Sequence, residues 1–133
     1  MKKNLVAIMT AIALCCLLAV AQDNKGKDTS KRVLAGGLVS INTTTLCPDV
    51  EGFNGPTPLD IRIKNDTIRD IIALGNEESP EYFNEASKLL KKWIGLTPAK
   101  GLDLEVDAVS GATFSSEALI ANVRAGLKRA LEK

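Results

Sequence analysis

Histidine does not occur among the 133 residues of this chain. Its absence removes the base of Ser-His-Asp and Cys-His catalysis, the imidazole ligands of zinc sites and the Cys-x-x-Cys-His haem signature. Cysteine is almost as scarce. Of three, Cys15 and Cys16 lie in an apolar amino-terminal run, which leaves Cys47 alone. One thiol makes no internal disulfide and no multi-cysteine metal site, so Cys47 reads as a small, partly buried hydrophobe. An excess of one charge is missing too: the formal net charge is +1, which gives nucleic acid nothing to recognise. No catalytic residue and no metal ligand can be nominated, and most hydrolytic and redox chemistry is closed to the chain unless a cofactor brings it.

The amino terminus carries a different signal. Lys2 and Lys3 precede an apolar run from Leu5 to Val20, and Ala19-Val20-Ala21 is a small-x-small cleavage site before Gln22. This reads as a secretory signal peptide over residues 1–21. Lipidation at Cys15 or Cys16 is the competing idea, but Leu14 and Cys15 are not the small residues such sites place ahead of the cysteine. An uncleaved anchor is the other, although the run falls short of the ~20 residues of a spanning helix. The protein is therefore expected outside the cytoplasm, periplasmic or extracellular, or membrane-associated through an uncleaved amino terminus. Residues 22–32, polar and lysine-containing, read as a flexible tether, and residues 33–133 as one domain.

Within the domain, Val33 to Ile41 reads as a first strand bending at Gly36-Gly37, and Gly52 to Pro58 is dense in turn residues. Leu59, Ile61 and Ile63 alternate with Asp60, Arg62 and Lys64, and after Asn65-Asp66 a return strand carries Ile68, Ile71 and Ile72, a hairpin. Ser79-Pro80-Glu81 opens a helix with Phe83, Ala86, Leu90, Trp93 and Ile94 on one face and Gly95 at its end. That aromatic stripe reads as core rather than as a stacking platform. Leu102 to Val109 reads as a further strand, and Leu119, Val123, Leu127, Ala130 and Leu131 mark a final helix. The expected core comprises Ile61, Ile63, Ile71, Phe83, Leu90, Trp93, Val106, Leu119, Val123 and Leu127. An α+β fold follows, a small antiparallel sheet with helices packed on it, a single domain after the signal peptide.

The residues that carry chemistry lie between the last strand and the last helix. In Asp107-Ala108-Val109-Ser110-Gly111-Ala112-Thr113-Phe114-Ser115-Ser116 two tiny side chains mark the bend and four hydroxyls crowd it. A helix N-terminus follows, where free N–H groups and the positive dipole end suit a phosphate.

At these residues the chain resembles the FMN-binding domain family, which includes covalently flavinylated subunits of the sodium-pumping quinone reductase and of Rnf complexes. The family pattern Asp-x-x-Ser/Thr-Gly-Ala-Thr-x-Ser/Thr is matched by Asp107, Ser110, Gly111, Ala112, Thr113 and Ser115. Gly52 to Leu74 and Glu78-Ser79-Pro80 are similar to further family segments, so the likeness spans most of the chain beyond residue 33.

The resemblance implies covalent FMN, joined by a flavin transferase through a phosphoester to Thr113. Gly111 and Ala112 would let the phosphate approach, Ser110, Ser115 and Ser116 would supply hydroxyls around it, and Thr57 and Ser79 would lie near the flavin. Asp107 has open readings: a magnesium ligand during attachment, a brace for the turn, a recognition element for the transferase, or simply the end of a strand. The implied function is an extracytoplasmic electron carrier, serving redox partner proteins at the membrane, rather than a self-contained enzyme. A small flavin-dependent reductase domain and a secreted non-redox binding domain are the alternatives.

Overall fold

Alternating apolar residues decide the sheet. In the computed structural model, which describes residues 28–133, strands β1 (Lys31–Val33), β2 (Val39–Asn42), β3 (Leu59–Lys64) and β4 (Thr67–Ala73) form one four-stranded antiparallel sheet in chain order. Cross-strand pairs such as Ile41 with Ile61 and Ile61 with Ile71 set the register. These isoleucines are buried on one face, while Arg62, its neighbour on the other side of the pleat, is part-exposed. The hairpin between β3 and β4 turns at Asn65 and Asp66, both in the left-handed region at φ 52° and 56°, the conformation these two residue types tolerate best.

Three helices cover the apolar face: α1 (Pro80–Ser87), continued by a 3-10 segment Lys88–Trp93, α2 (Pro98–Asp103) and α3 (Thr113–Leu131). Proline opens both α1 and α2, where its missing N–H costs nothing. The Thr97 hydroxyl caps α2 by accepting from the Lys100 amide at 3.3 Å. Close approach of α3 to the sheet is made by Gly126: a Cβ there would collide with Ile61 and lie 3.0 Å from the Thr43 methyl. Trp93 is fully buried, and its indole N–H donates to the Gly101 carbonyl at 3.1 Å.

Leu119, Val123 and Leu127 complete a core with Ile41, Leu59, Ile61, Ile68 and Trp93. Of the expected core residues, Phe83 and Val106 are only half-buried, each at the margin of that cluster. The architecture is α+β, antiparallel sheet and packed helices, as one domain.

Three sequence expectations are corrected. Val33 to Ile41 is not one bent strand but two, β1 and β2, folded back on each other through a 3-10 turn, Ala35–Gly37. Gly36 and Gly37 take φ 74° and 76° in succession, which reverses the chain instead of bending it. Leu102 to Val109 is not a strand: α2 takes its first residues, and residues 104–109 run on without regular structure. Thirdly, the domain begins before Val33. Ser30 is buried and Lys31 and Arg32 pair with β2. The segment read as a signal peptide, residues 1–21, and tether residues 22–27 lie outside the described residues.

The beginning of the described chain is pinned to the far end of α3. The Lys31 ammonium donates to the Ala130 and Glu132 carbonyls at 3.1 and 2.6 Å, a cation on the negative end of the helix. Arg129 donates to the Asp28 carboxylate at 2.9 Å and to the Ser30 hydroxyl at 3.1 Å.

Candidate functional site

The bend before α3 is built by one conformation that only glycine adopts freely. Gly111 has φ 84° with open space where a Cβ would stand, so the requirement is on the backbone and not on room. The Ala112 amide closes the turn by donating to the Val109 carbonyl at 3.0 Å. Ala112 then serves as N-cap of α3.

An alanine N-cap is unusual. It has no oxygen to accept from the first-turn amides, and no acidic residue lies in that turn either. The N–H groups of Thr113, Phe114 and Ser115 therefore gather at the positive end of a helix of 19 residues without the compensation a Ser or Asp cap would give. Such an end favours an anion.

Four hydroxyls surround the bend, and the fold separates them into two classes. Ser116 is fully buried; its hydroxyl donates to the Ala112 carbonyl at 2.7 Å and accepts from the Val109 amide at 3.1 Å. That side chain staples the turn. Ser115 is buried as well and donates to a carboxylate oxygen of Glu78 at 3.1 Å. Ser110 and Thr113 are exposed. Of the hydroxyls in α3's first turn, Thr113 is thus the one that a large reagent can reach. Asp107 is exposed on the irregular segment leading to the bend.

Beside Thr113 opens a cleft of about 340 Å³ lined by Phe53, Tyr82, Gly111, Ala112, Thr113, Phe114 and Ser115, within the range of small-molecule sites. The chain has three phenylalanines, one tyrosine and one tryptophan, and three of these five rings stand here, 49–66% exposed. The Phe53 and Phe114 centroids are 6.2 Å apart with planes at 46°. Exposed rings around a cavity offer faces on which a planar heterocycle can stack. Sequence reading missed all three, because they come from separate elements: Phe53 from the 52–58 loop, Tyr82 from α1 and Phe114 from α3.

Thr57 and Ser79 do not line the cleft. Thr57 is buried and accepts from the Asn122 amide at 3.4 Å, within a polar cluster in which Asn122 also accepts from Thr43 at 2.8 Å and from the Cys47 thiol at 3.1 Å. Burial pushes the Cys47 thiol above its ordinary pKa. Ser79 is the N-cap of α1 but caps nothing with its side chain; it meets the Asn54 amide group at 3.2 Å. Thr113, Ser115, Gly111 and Ala112 therefore share the cleft, whereas Thr57 faces the interior. Among the described residues no cluster of His, Cys, Asp or Glu could hold a metal ion, and no helix is long and apolar enough to cross a membrane.

The arrangement fits the phosphate and the planar ring of a flavin nucleotide: an uncapped helix start for the one, an aromatic cleft for the other. A family model described as FMN-binding domain matches residues 52–128, which covers the 52–58 loop, the hairpin, α1, α2 and most of α3. A comparison with curated proteins finds no match.

Proposed function

We propose, from the premise that this chain belongs to the FMN-binding domain family, that it is an extracytoplasmic electron-transfer flavoprotein with FMN tied by a phosphoester to Thr113. One observation carries the choice of acceptor: the Thr113 hydroxyl is exposed at the cleft, while those of Ser115 and Ser116 are buried and already hydrogen-bonded. When bound, FMN supplies the transfer of one or two electrons.

The chain's own residues do the holding. The first-turn amides of α3 and the Ser110 hydroxyl suit the phosphate, Gly111 keeps its approach free of side chain, and Phe53, Tyr82 and Phe114 offer apolar faces to the ring. The cleft lining includes no carboxylate, amine or thiol. Tyr82 is its one titratable side chain, so proton handling is left to solvent or to a partner. This favours a carrier that meets redox partner proteins at the membrane over a reductase with its own acid and base. Attachment itself is assigned to a separate flavin transferase, since the cleft lining offers no carboxylate or amine to activate the Thr113 oxygen.

Mass spectrometry of the exported protein, made together with a periplasmic flavin transferase, tests this reading. The expected result is an adduct of FMN less one water on the peptide containing Thr113, absent from Thr113→Ala. An adduct on Ser115 would move the acceptor, and a colourless, unmodified protein would end the covalent flavin reading.

A further inference from the structure

Glu78 lies behind the cleft and has no place in the pattern that marks the bend. The residue is 7% exposed, and it takes no part in the ion pairs of the described residues, whose acids are Asp28, Asp60, Glu85 and Glu132. A carboxylate buried without a cation is costly unless hydrogen-bond donors replace the water it has lost. Here two donors do so, and they come from separate elements, the first turn of α3 and the 52–58 loop. One carboxylate oxygen accepts from the Ser115 hydroxyl at 3.1 Å, and the other from the Asn54 backbone amide at 3.4 Å.

Ser115 follows Phe114 in α3, and Asn54 follows Phe53 in the loop. The carboxylate thus bridges the residues next to the two facing rings. Two further observations fit this bridge. Gly52 passes so close that any side chain there would collide with the Glu78 carboxylate. The Asn54 side chain also donates to Ser79, the neighbour of Glu78, at 3.2 Å.

We infer that Glu78 is a positioning residue: its carboxylate fixes the 52–55 loop against the first turn of α3, holding the Phe53–Phe114 pair in place as part of the aromatic lining of the cleft that takes the flavin ring. The part that concerns the ring rests on the proposed FMN site; the part that concerns the loop does not. Gln is nearly isosteric with Glu but presents one acceptor oxygen and one donor group. Because the Ser115 hydroxyl can accept as well as donate, Gln can keep both contacts, whereas Met, of similar length, has neither carboxylate nor amide: in Glu78→Met the loop is released while the volume stays nearly filled.

The experiment has two arms on the full chain. In flavin-free protein, hydrogen exchange of the amides in residues 52–55 should speed up about tenfold or more in Glu78→Met, the loss expected for a hydrogen bond to a charged acceptor, while exchange in β3 and β4 stays unchanged and Glu78→Gln, which can keep both contacts, shows a smaller change. In protein carrying flavin, Glu78→Met should lower the fluorescence anisotropy of the flavin and flatten its visible circular dichroism. Ser115→Ala, which removes the other donor but keeps the carboxylate, should give the flavin signature in weaker form. Unchanged exchange in the loop overturns the inference. Changed exchange with unaltered flavin signals confines Glu78 to the loop and overturns its role toward the ring. Failure of wild type to carry flavin at all is a separate outcome: it refutes the proposed function and leaves the exchange arm to decide the loop.

Discussion

Ser116 illustrates how little at the bend is spare. One hydroxyl accepts from the Val109 amide before the turn and donates to the Ala112 carbonyl after it, so the turn is closed from both sides by a residue that faces the interior. Ser116→Ala should cost about 1–3 kcal/mol, the penalty for leaving buried polar groups unpaired, read as a lower urea midpoint at unchanged slope. Gly111→Ala should cost about 1–2 kcal/mol by the same measurement, because its φ of 84° is strained for any residue with a Cβ.

At this scale the sequence was informative about the bend and silent about the cleft. A glycine and an alanine followed by hydroxyls identify a turn at a helix start from local chemistry alone. Which hydroxyl faces outward is decided by the phase of α3 against the sheet, and that phase depends on contacts such as Gly126 with Ile61. Phe53, Tyr82 and Phe114 carry no shared period, and nothing short of the tertiary fold brings them together.

Among the elements, α3 does two jobs. Its first turn presents the proposed acceptor, and its later turns bury Leu119, Val123 and Leu127 against the sheet. Leu127 is fully buried and meets Gly101 of α2. Leu127→Ala should destabilise the domain by about 2–5 kcal/mol, seen in thermal or urea unfolding. The β3–β4 hairpin and α3 were legible because each repeats its apolar period over several residues and ends in recognisable turn or cap chemistry.

The run Leu102 to Val109 has the period of a strand without its outcome. A strand needs a neighbouring strand for its amides and carbonyls, and this segment pairs with none: Pro98 starts α2 ahead of it, and the four-stranded sheet ends at β1 and β4. The glycine pair at Gly36 and Gly37 misled in the opposite direction. A bulge and a reversal share the same residues, and only the pairing of β1 with β2 distinguishes them.

Taken whole, the molecule has its first described residues and its proposed acceptor at opposite ends of α3. Asp28 holds the near end, where the Ser30 hydroxyl and amide, and then Arg129, keep its carboxyl below the ordinary carboxylate range. A lowered folded pKa means that stabilisation is present above the unfolded value and disappears as pH falls through the folded one. Asp28→Asn should therefore unfold at a slightly lower temperature than wild type near pH 7, and the gap should close once the pH falls below the ordinary aspartate range and through the lowered folded value. A gap independent of pH would show that the carboxylate charge plays no part there.

The 19 residues of α3 span about 28 Å at 1.5 Å per residue. The proposed acceptor Thr113 stands at one end of that span and the Lys31 contact at the other. Under the proposed function, the flavin at Thr113 and the first described residues lie at opposite ends of this helix, so a redox partner would meet the flavin at the end remote from Lys31.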